Sequence, residues 1–294
     1  MLIWGSSWLA IHFQLGEVAP EVSIAYRFIL ASGLLVIWCR LRRISLRIAL
    51  RHHPFLALLG LSLFSLNYLL FYYAAFDLAT GLLAVIFSTM TVMNIFNSAI
   101  FLRRQIQKKT VLAVVFGLTG MALVFWPEIT TSGPRVAAAI GISLIATYLA
   151  SIGNIVSARN QNHGLPVAST NTIGMAYGAL FMLAYSAGSG TPFVIDTSTT
   201  YIGSLLFLAL FASAIAFGCY LTLVGRIGPA NAAYATVLFP IVALALSTWF
   251  EDYEWQNRAL VGVGLILIGN AIVLSRPGLI SHLKALSPRG QNND

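Results

Sequence analysis

The chain has 294 residues, 58% of them hydrophobic and only 9% charged, with a mean hydropathy of +0.83 and a formal net charge of +8. Soluble domains carry about 25% charged residues, so this composition excludes one. Its two cysteines, Cys39 and Cys219, lie far apart and exclude a disulfide framework. No His, Cys and carboxylate group has the spacing of metal ligands, so no metal or cofactor is expected.

An apolar stretch of about 20 residues spans the ~30 Å hydrocarbon core of a bilayer. Ten such stretches follow one another, near 1–15, 21–39, 54–75, 80–102, 110–126, 135–158, 166–187, 200–224, 230–250 and 258–275. The expected fold class is therefore all-α, a polytopic membrane protein of ten transmembrane helices. The first stretch lacks a basic flank and a cleavage signature and reads as an uncleaved span. Its shortness is expected if the native chain begins earlier.

Span one places Trp4, Trp8 and His12 four residues apart, on one face. His12 is the one side chain there that could titrate near neutral pH. Span two carries Arg27 about six residues inside its outer end, only ~9 Å deep. Snorkelling to the surface, or bonds to loop carbonyls, is the expected state of such an arginine. The alternative is attraction of a substrate carboxylate or phosphate, which suits a planar guanidinium.

Span three aligns Phe64, Asn67, Tyr68, Phe71 and Tyr72, aromatic rings with polar edges that suit a cavity for partly apolar solutes. Span four aligns Thr91, Asn94, Asn97 and Ser98. Span six repeats Tyr148, Ser151, Asn154 and Ser157 at every third residue. These polar faces have two readings: the lining of a water-filled path, or interhelical hydrogen bonds of roughly 0.6 kcal/mol each. Gly174 and Gly178 in span seven suggest close helix packing. Pro240, midway along span nine, is expected to kink it at the Thr236 carbonyl and to act as a gate hinge. Spans five and ten are almost free of polar residues and read as lipid-facing scaffold. Residues 277–294 form a polar tail, expected to be disordered.

The loops are sorted by charge. Of the 17 basic residues, 14 lie after even-numbered spans, in 40–51, 103–109, at Arg159 and Arg226, and in the tail. The alternate loops hold Glu17, Asp77, Glu128, Asp196, Glu251, Asp252 and Glu254, against only Arg135 and Arg258. The positive-inside bias then places both termini in the cytoplasm of a multi-pass cell-membrane protein. The positive charge is accounted for by topology and anionic lipid, leaving no case for a nucleic-acid partner.

Shifting the chain by 149 residues lays Leu70–Trp126 on Cys219–Ser275 without a gap. Ala84 then meets Ala233, Ser98 meets Ser247 and Gly120 meets Gly269. An odd number of spans per half makes the halves opposite in orientation, as in many transporters. The expected organisation is two inverted five-helix repeats, 1–126 and 127–276, followed by the tail.

Trp4-Gly5-Ser6-Ser7-Trp8, Pro20 and Ala25-Tyr26-Arg27-Phe28 resemble the opening of the drug/metabolite transporter superfamily, in particular its EamA-type exporters. Gly228-Pro229-Ala230-Asn231-Ala232-Ala233 and Leu238-Phe239-Pro240 look like that family's second-half signature. Thr91 stands where the repeat would place a partner for Pro240, which departs from relatives that have proline in both halves. The resemblance implies export of small metabolites by alternating access, with similarity to exporters of amino acids, aromatic ones included. It also implies no enzymatic activity, a small-molecule substrate, the lipid bilayer as surroundings, and a monomer or weak homodimer. Alternatives are a phosphate- or nucleotide-sugar exchanger of the same superfamily and a membrane-embedded lipid-handling enzyme. Both call for buried charged groups, and inside the spans only Arg27 and His12 are clearly ionisable. The candidate site comprises Trp8, His12, Arg27, Asn67, Tyr68, Tyr72, Thr91, Asn94, Tyr148 and Asn154, with Pro240 as the gate.

Overall fold

A computed structural model describes residues 2–103, 105, 108–232, 239–251 and 257–274, and among them every regular element is helical. In a bilayer each backbone donor and acceptor must be satisfied internally, which a helix achieves within one segment. Six helical runs are long and apolar enough to cross: Pro20–Leu41, Leu50–Ala74, Thr80–Leu102, Pro134–Asn162, Val167–Ser189 and Thr199–Ile227. Three shorter apolar helices, Val111–Phe125, Pro240–Phe250 and Asn257–Ile272, accompany them. The molecule is a multi-pass membrane protein. The tail, the acidic residues Asp252 and Glu254, and Thr236 lie outside the described residues.

In chain order the helices are α1 (Leu2–His12), α2 (Pro20–Leu41), α3 (His53–Leu63), α4 (Leu66–Ala74), α5 (Thr80–Ser88), α6 (Met90–Leu102) and α7 (Lys108–Ser132). There follow α8 (Pro134–Asn162), α9 (Val167–Ser189), α10 (Thr199–Phe207), α11 (Ala216–Ile227), α12 (Pro229–Ala232), α13 (Phe239–Phe250) and α14 (Asn257–Leu274).

Among the described residues, three of the sequence-predicted spans are interrupted. Span three breaks between α3 and α4, where Ser65 leaves the helical region at φ −143° and ψ −80°. The Ser65 hydroxyl donates to the carbonyls of Gly60 and Leu61 at 3.1 and 3.0 Å, satisfying backbone the break would orphan. Span four breaks at Thr89, where the hydroxyls of Ser88 and Thr89 donate to the Val85 and Ile86 carbonyls, each at 2.7 Å. Span eight passes through a π-helical segment, Leu208–Ile215, between α10 and α11. Such widened turns redirect carbonyls away from the helix's own ladder.

Two packing features rest on glycine. A Cβ at Gly60 would come within 2.6 Å of the Gly174 carbonyl oxygen, and one at Gly178 within 2.6 Å of the Phe64 carbonyl oxygen. The span-seven glycine pair therefore lets α9 press against the α3–α4 break. Between α7 and α14, a Cβ at Gly120 would meet the Gly262 carbonyl oxygen at 2.5 Å, and one at Gly269 the Ala113 carbonyl oxygen at 2.8 Å. Adding 149 turns 113 into 262 and 120 into 269, so one contact is made twice, as in an isologous two-fold packing. The same offset separates the start of α5 at Thr80 from that of α12 at Pro229. Spans five and ten, expected as separate lipid-facing scaffold, are thus packed against each other, with outward residues such as Val115 and Leu118 exposed.

Pro240 lies in α13, and the kink expected at the Thr236 carbonyl falls outside the described residues. Span four is interrupted at Thr89, two residues before Thr91, with no proline present. Hydroxyl-to-carbonyl bonding accompanies the break there.

Candidate functional site

Each of the three interruptions ends beside one cavity. Helix α1 contributes Trp4, Ser7, Trp8 and Ile11, and the α3–α4 run contributes Leu63, Asn67, Tyr68 and Phe71. Phe87 and Met90 flank the Thr89 break, Asn154 comes from α8, and Phe217 and Tyr220 follow the π segment. Broken helices around a central cavity are the membrane form of a binding site, because irregular backbone is tolerated where it lines a cavity. Its volume is about 40 Å³, room for a few waters. An amino-acid-sized solute requires the walls to move.

The walls are aromatic and interlocked edge to face. Trp4 meets Phe217 and Tyr220 at centroid distances of 5.1 and 4.9 Å, and its indole N–H donates to the Ala212 carbonyl at 3.1 Å. That carbonyl belongs to the π segment. Trp8 stands edge-on to Phe71 at 5.1 Å and 84°. Trp4 therefore sits in the bundle, not in an interfacial belt.

Arg27 departs most from expectation. It is 1% exposed and does not snorkel. Its Nε donates to Ser213 Oγ at 2.9 Å, its Nη2 to the Tyr68 hydroxyl at 3.3 Å, and its guanidinium carbon lies 4.3 Å from the Tyr68 ring centroid. Nη1 is buried with no partner. Depth along the helix misjudged this residue; the face it occupies turns toward the π segment and α4. Arg27 is one side chain behind the cavity wall, with Tyr68 between. Tyr72, fully buried on α4, lies outside the wall, and its hydroxyl is likewise unpartnered.

The polar faces of spans four and six meet each other. Asn97 Nδ2 donates to Ser151 Oγ at 2.8 Å, and Asn154 Nδ2 faces Asn94 Oδ1 at 3.4 Å and the Tyr220 hydroxyl at 3.3 Å. Asn94 Nδ2 reaches toward the Pro229 carbonyl at 3.5 Å. These groups are largely interhelical bonding, and only Asn154 also faces the cavity. Its Oδ1, like that of Asn67, has no partner. Thr91 is buried behind the wall. Tyr148, expected in the site, is 46% exposed on another face of α8. Three residues turn a helix by ~300°, so each step of an every-third pattern slips by ~60°, and Tyr148 ends far from Asn154.

His12 is also absent from the cavity. Its Nδ1 lies 3.1 Å from Glu251, a carboxylate that further accepts from the Thr80 N–H at 3.0 Å, the Thr80 hydroxyl at 2.9 Å and the Ser247 hydroxyl. Glu251 thereby ties α1, the N-terminus of α5 and α13 together at the acidic-loop end, where a helix N-terminus favours negative charge. Glu21 makes a second such tie, accepting from Tyr73 at 3.4 Å and Thr191 at 2.9 Å. Sequence reading missed Phe217, Tyr220 and Ser213. The three-residue spacing of Phe217 and Tyr220 on an apolar span was the available signal.

The profile of the EamA-like transporter family matches residues 1–126 and 137–275. The chain is similar to Protein PagO of Salmonella typhimurium, 22% identical over 93% of this chain and 90% of that one. It is similar at 22% identity to a probable amino-acid metabolite efflux pump of the same organism, over 92% of this chain and 90% of that one. An uncharacterized transporter of Bacillus subtilis, YvbV, is 26% identical over 93% of this chain and 88% of its own. A crystal structure 14% identical in sequence matches 92% of this chain and 93% of its own with a TM-score of 0.72, which shows a shared fold.

Proposed function

The chain belongs to the EamA-like transporter family, and from that premise we propose that it exports amino acids, aromatic ones included, through the central cavity. It is a membrane transporter of small molecules, not an enzyme; the choice of amino acids rests on the site. The observation that carries it is the set of buried groups left without partners. Arg27 Nη1 is a charged donor with nothing to bind, and Asn67 Oδ1 and Asn154 Oδ1 are acceptors with nothing to accept. Leaving such groups unsatisfied in hydrocarbon is costly, so they select a ligand that supplies the counterparts. A carboxylate answers Arg27, an ammonium answers the two amide oxygens, and an apolar or aromatic side chain answers Trp4, Trp8 and Phe217. Tyr68 separates Arg27 from the cavity, so its movement would join the two. A phosphate or nucleotide sugar would call for more buried cations than Arg27 supplies.

The architecture that serves this function is ten spans in two inverted repeats, 1–126 and 127–276, with both termini in the cytoplasm. The doubled glycine contact between α7 and α14 and the 149 residues between the starts of α5 and α12 support it. The tightness of the cavity supports alternating access. With room for about 40 Å³, solute enters when the walls part, and the α3–α4, α5–α6 and α10–α11 interruptions are the places to bend. The ties at Glu251 and Glu21 close the outer end, and Pro240, which the repeat sets opposite Thr91, is the gate hinge of the second half.

Purified protein in liposomes tests the proposal by counterflow. Labelled phenylalanine or leucine should accumulate in vesicles preloaded with the unlabelled amino acid and leave unchanged. Accumulation driven by none of a panel of amino acids would reject the substrate class.

A further inference from the structure

On the opposite face of α11 from the central cavity lies a second space of about 580 Å³. Its walls are Leu34 and Trp38 of α2, Asn171 of α9, and the face of the π segment and α11 that carries Leu210, Gly218 and Thr222. Leu34, Trp38, Leu210 and Ile215 are large apolar side chains 37–47% exposed, so the groove opens toward the hydrocarbon of the bilayer. From Leu210 to Thr222 it runs 12 residues, ~18 Å, or the depth of one leaflet.

Two observations make this more than a gap between helices. Asn171 is fully buried, lines the space, and has no partner for either Nδ2 or Oδ1. It is the fifth residue of α9, about 6 Å from that helix's start, which is the depth at which acyl chains join their glycerol. At the same end of the groove the Arg42 guanidinium stacks over the Trp38 ring at 4.6 Å, with Arg40 and Arg43 exposed beside it. The mouth is basic, the body is apolar, and a single amide waits at the boundary between them.

We propose that this groove is a binding site for one anionic phospholipid. One acyl chain lies along α11 between α2 and α9, a glycerol ester carbonyl accepts from Asn171 Nδ2, and the phosphate rests on Arg42. Trp38 holds the guanidinium in place by cation–π contact. The proposal needs only that the chain is embedded in a membrane, and it does not depend on what the central cavity carries.

Lipid retention read by native mass spectrometry tests it. The protein is purified in detergent and offered phosphatidylglycerol or phosphatidylcholine with matched acyl chains. The wild type should retain one phosphatidylglycerol in preference to phosphatidylcholine. Arg42→Ala should cut that preference by about fivefold, the worth of one arginine near an anionic lipid. Gly218→Phe should abolish retention of either lipid. A Cβ at Gly218 meets nothing within 4 Å, so the larger side chain fills the groove without displacing backbone. Equal retention of the two lipids by the wild type would overturn the proposal. So would undiminished phosphatidylglycerol binding in Gly218→Phe, since the lipid would then sit elsewhere. A third outcome, Gly218→Phe blocking transport equally in phosphatidylcholine and phosphatidylglycerol vesicles with no lipid retained by the wild type, would assign the groove to the solute and overturn it as well.

Discussion

The crossing of α7 and α14 can be tested one methyl group at a time. At Gly120 a new Cβ would stand 2.5 Å from the Gly262 carbonyl oxygen and 2.7 Å from Ile266 Cγ1, with the Ile266 backbone nitrogen at 3.0 Å. Two of those three atoms are backbone, so the helices must separate. Overpacking of this kind costs about 1–3 kcal/mol, and rigid partners put it near the upper end. Against that stands the gain of about 0.5–1 kcal/mol from replacing a helical glycine with alanine. The net for Gly120→Ala is a loss of about 2 kcal/mol. Gly269→Ala repeats the contact across the pseudo-symmetry, with the Ala113 carbonyl oxygen at 2.8 Å, and should lose slightly less. Gly117→Ala and Gly264→Ala add a methyl where nothing lies within 4 Å, so only the helix gain remains. The spread between Gly120→Ala and Gly117→Ala is then about 3 kcal/mol, a factor above 100 in the folding equilibrium. Thermal unfolding of the four purified variants in one detergent measures it. Gly120→Ala and Gly269→Ala should melt well below the wild type, and Gly117→Ala and Gly264→Ala at or above it. Equal melting of Gly120→Ala and Gly117→Ala would refute both the crossing and the repeat it supports.

Three further outcomes are expected. Single cysteines near Arg47, Arg104 and Arg226 should react only from the cytoplasm and those near Gly188 and Asp252 only from outside; labelling of both sets from one side would discard the ten-span topology. Asn154→Leu should lower the transport rate per folded molecule while Tyr148→Phe leaves it unchanged, because Asn154 faces the cavity and Tyr148 is exposed; matching losses would place the cavity elsewhere. Glu251→Gln exchanges a carboxylate that accepts from Thr80, Ser247 and His12 for an amide with one acceptor oxygen, and should destabilise by about 2 kcal/mol. Cysteine access from the acidic-loop side should rise with it, and unchanged access would leave Glu251 without a closing role.

The parts of this structure legible in the sequence are those written in composition and period. Apolar runs gave the helices, and the 149-residue offset matches the starts of α5 and α12. The breaks were not legible, because Ser65, Ser88 and Thr89 end helices through hydroxyl bonds that leave no proline or glycine behind. The π segment Leu208–Ile215 reads as ordinary apolar helix. Trp8, Asn67, Tyr68 and Asn154, which helical spacing singles out, line the cavity. Arg27 was placed by its distance from the helix end, whereas the direction it faces decides its burial. Glu251 was counted as a loop charge, and its partners on α1, α5 and α13 are remote in sequence. Long-range partners of this sort carry no periodic signal.

Arg27 is the point on which the account turns, and Arg27→Lys examines it most directly. Lysine keeps the charge and loses the planar fork that offers Nη1 to a carboxylate while Nε and Nη2 hold Ser213 and Tyr68. The measurement is the ratio of phenylalanine to phenethylamine counterflow in liposomes, wild type against variant. The account predicts a wild type that favours the amino acid and an Arg27→Lys variant in which that ratio falls about tenfold, the loss of one charge-assisted hydrogen bond. A ratio unchanged by the substitution, with both rates falling together, would contradict it and leave Arg27 a purely structural charge.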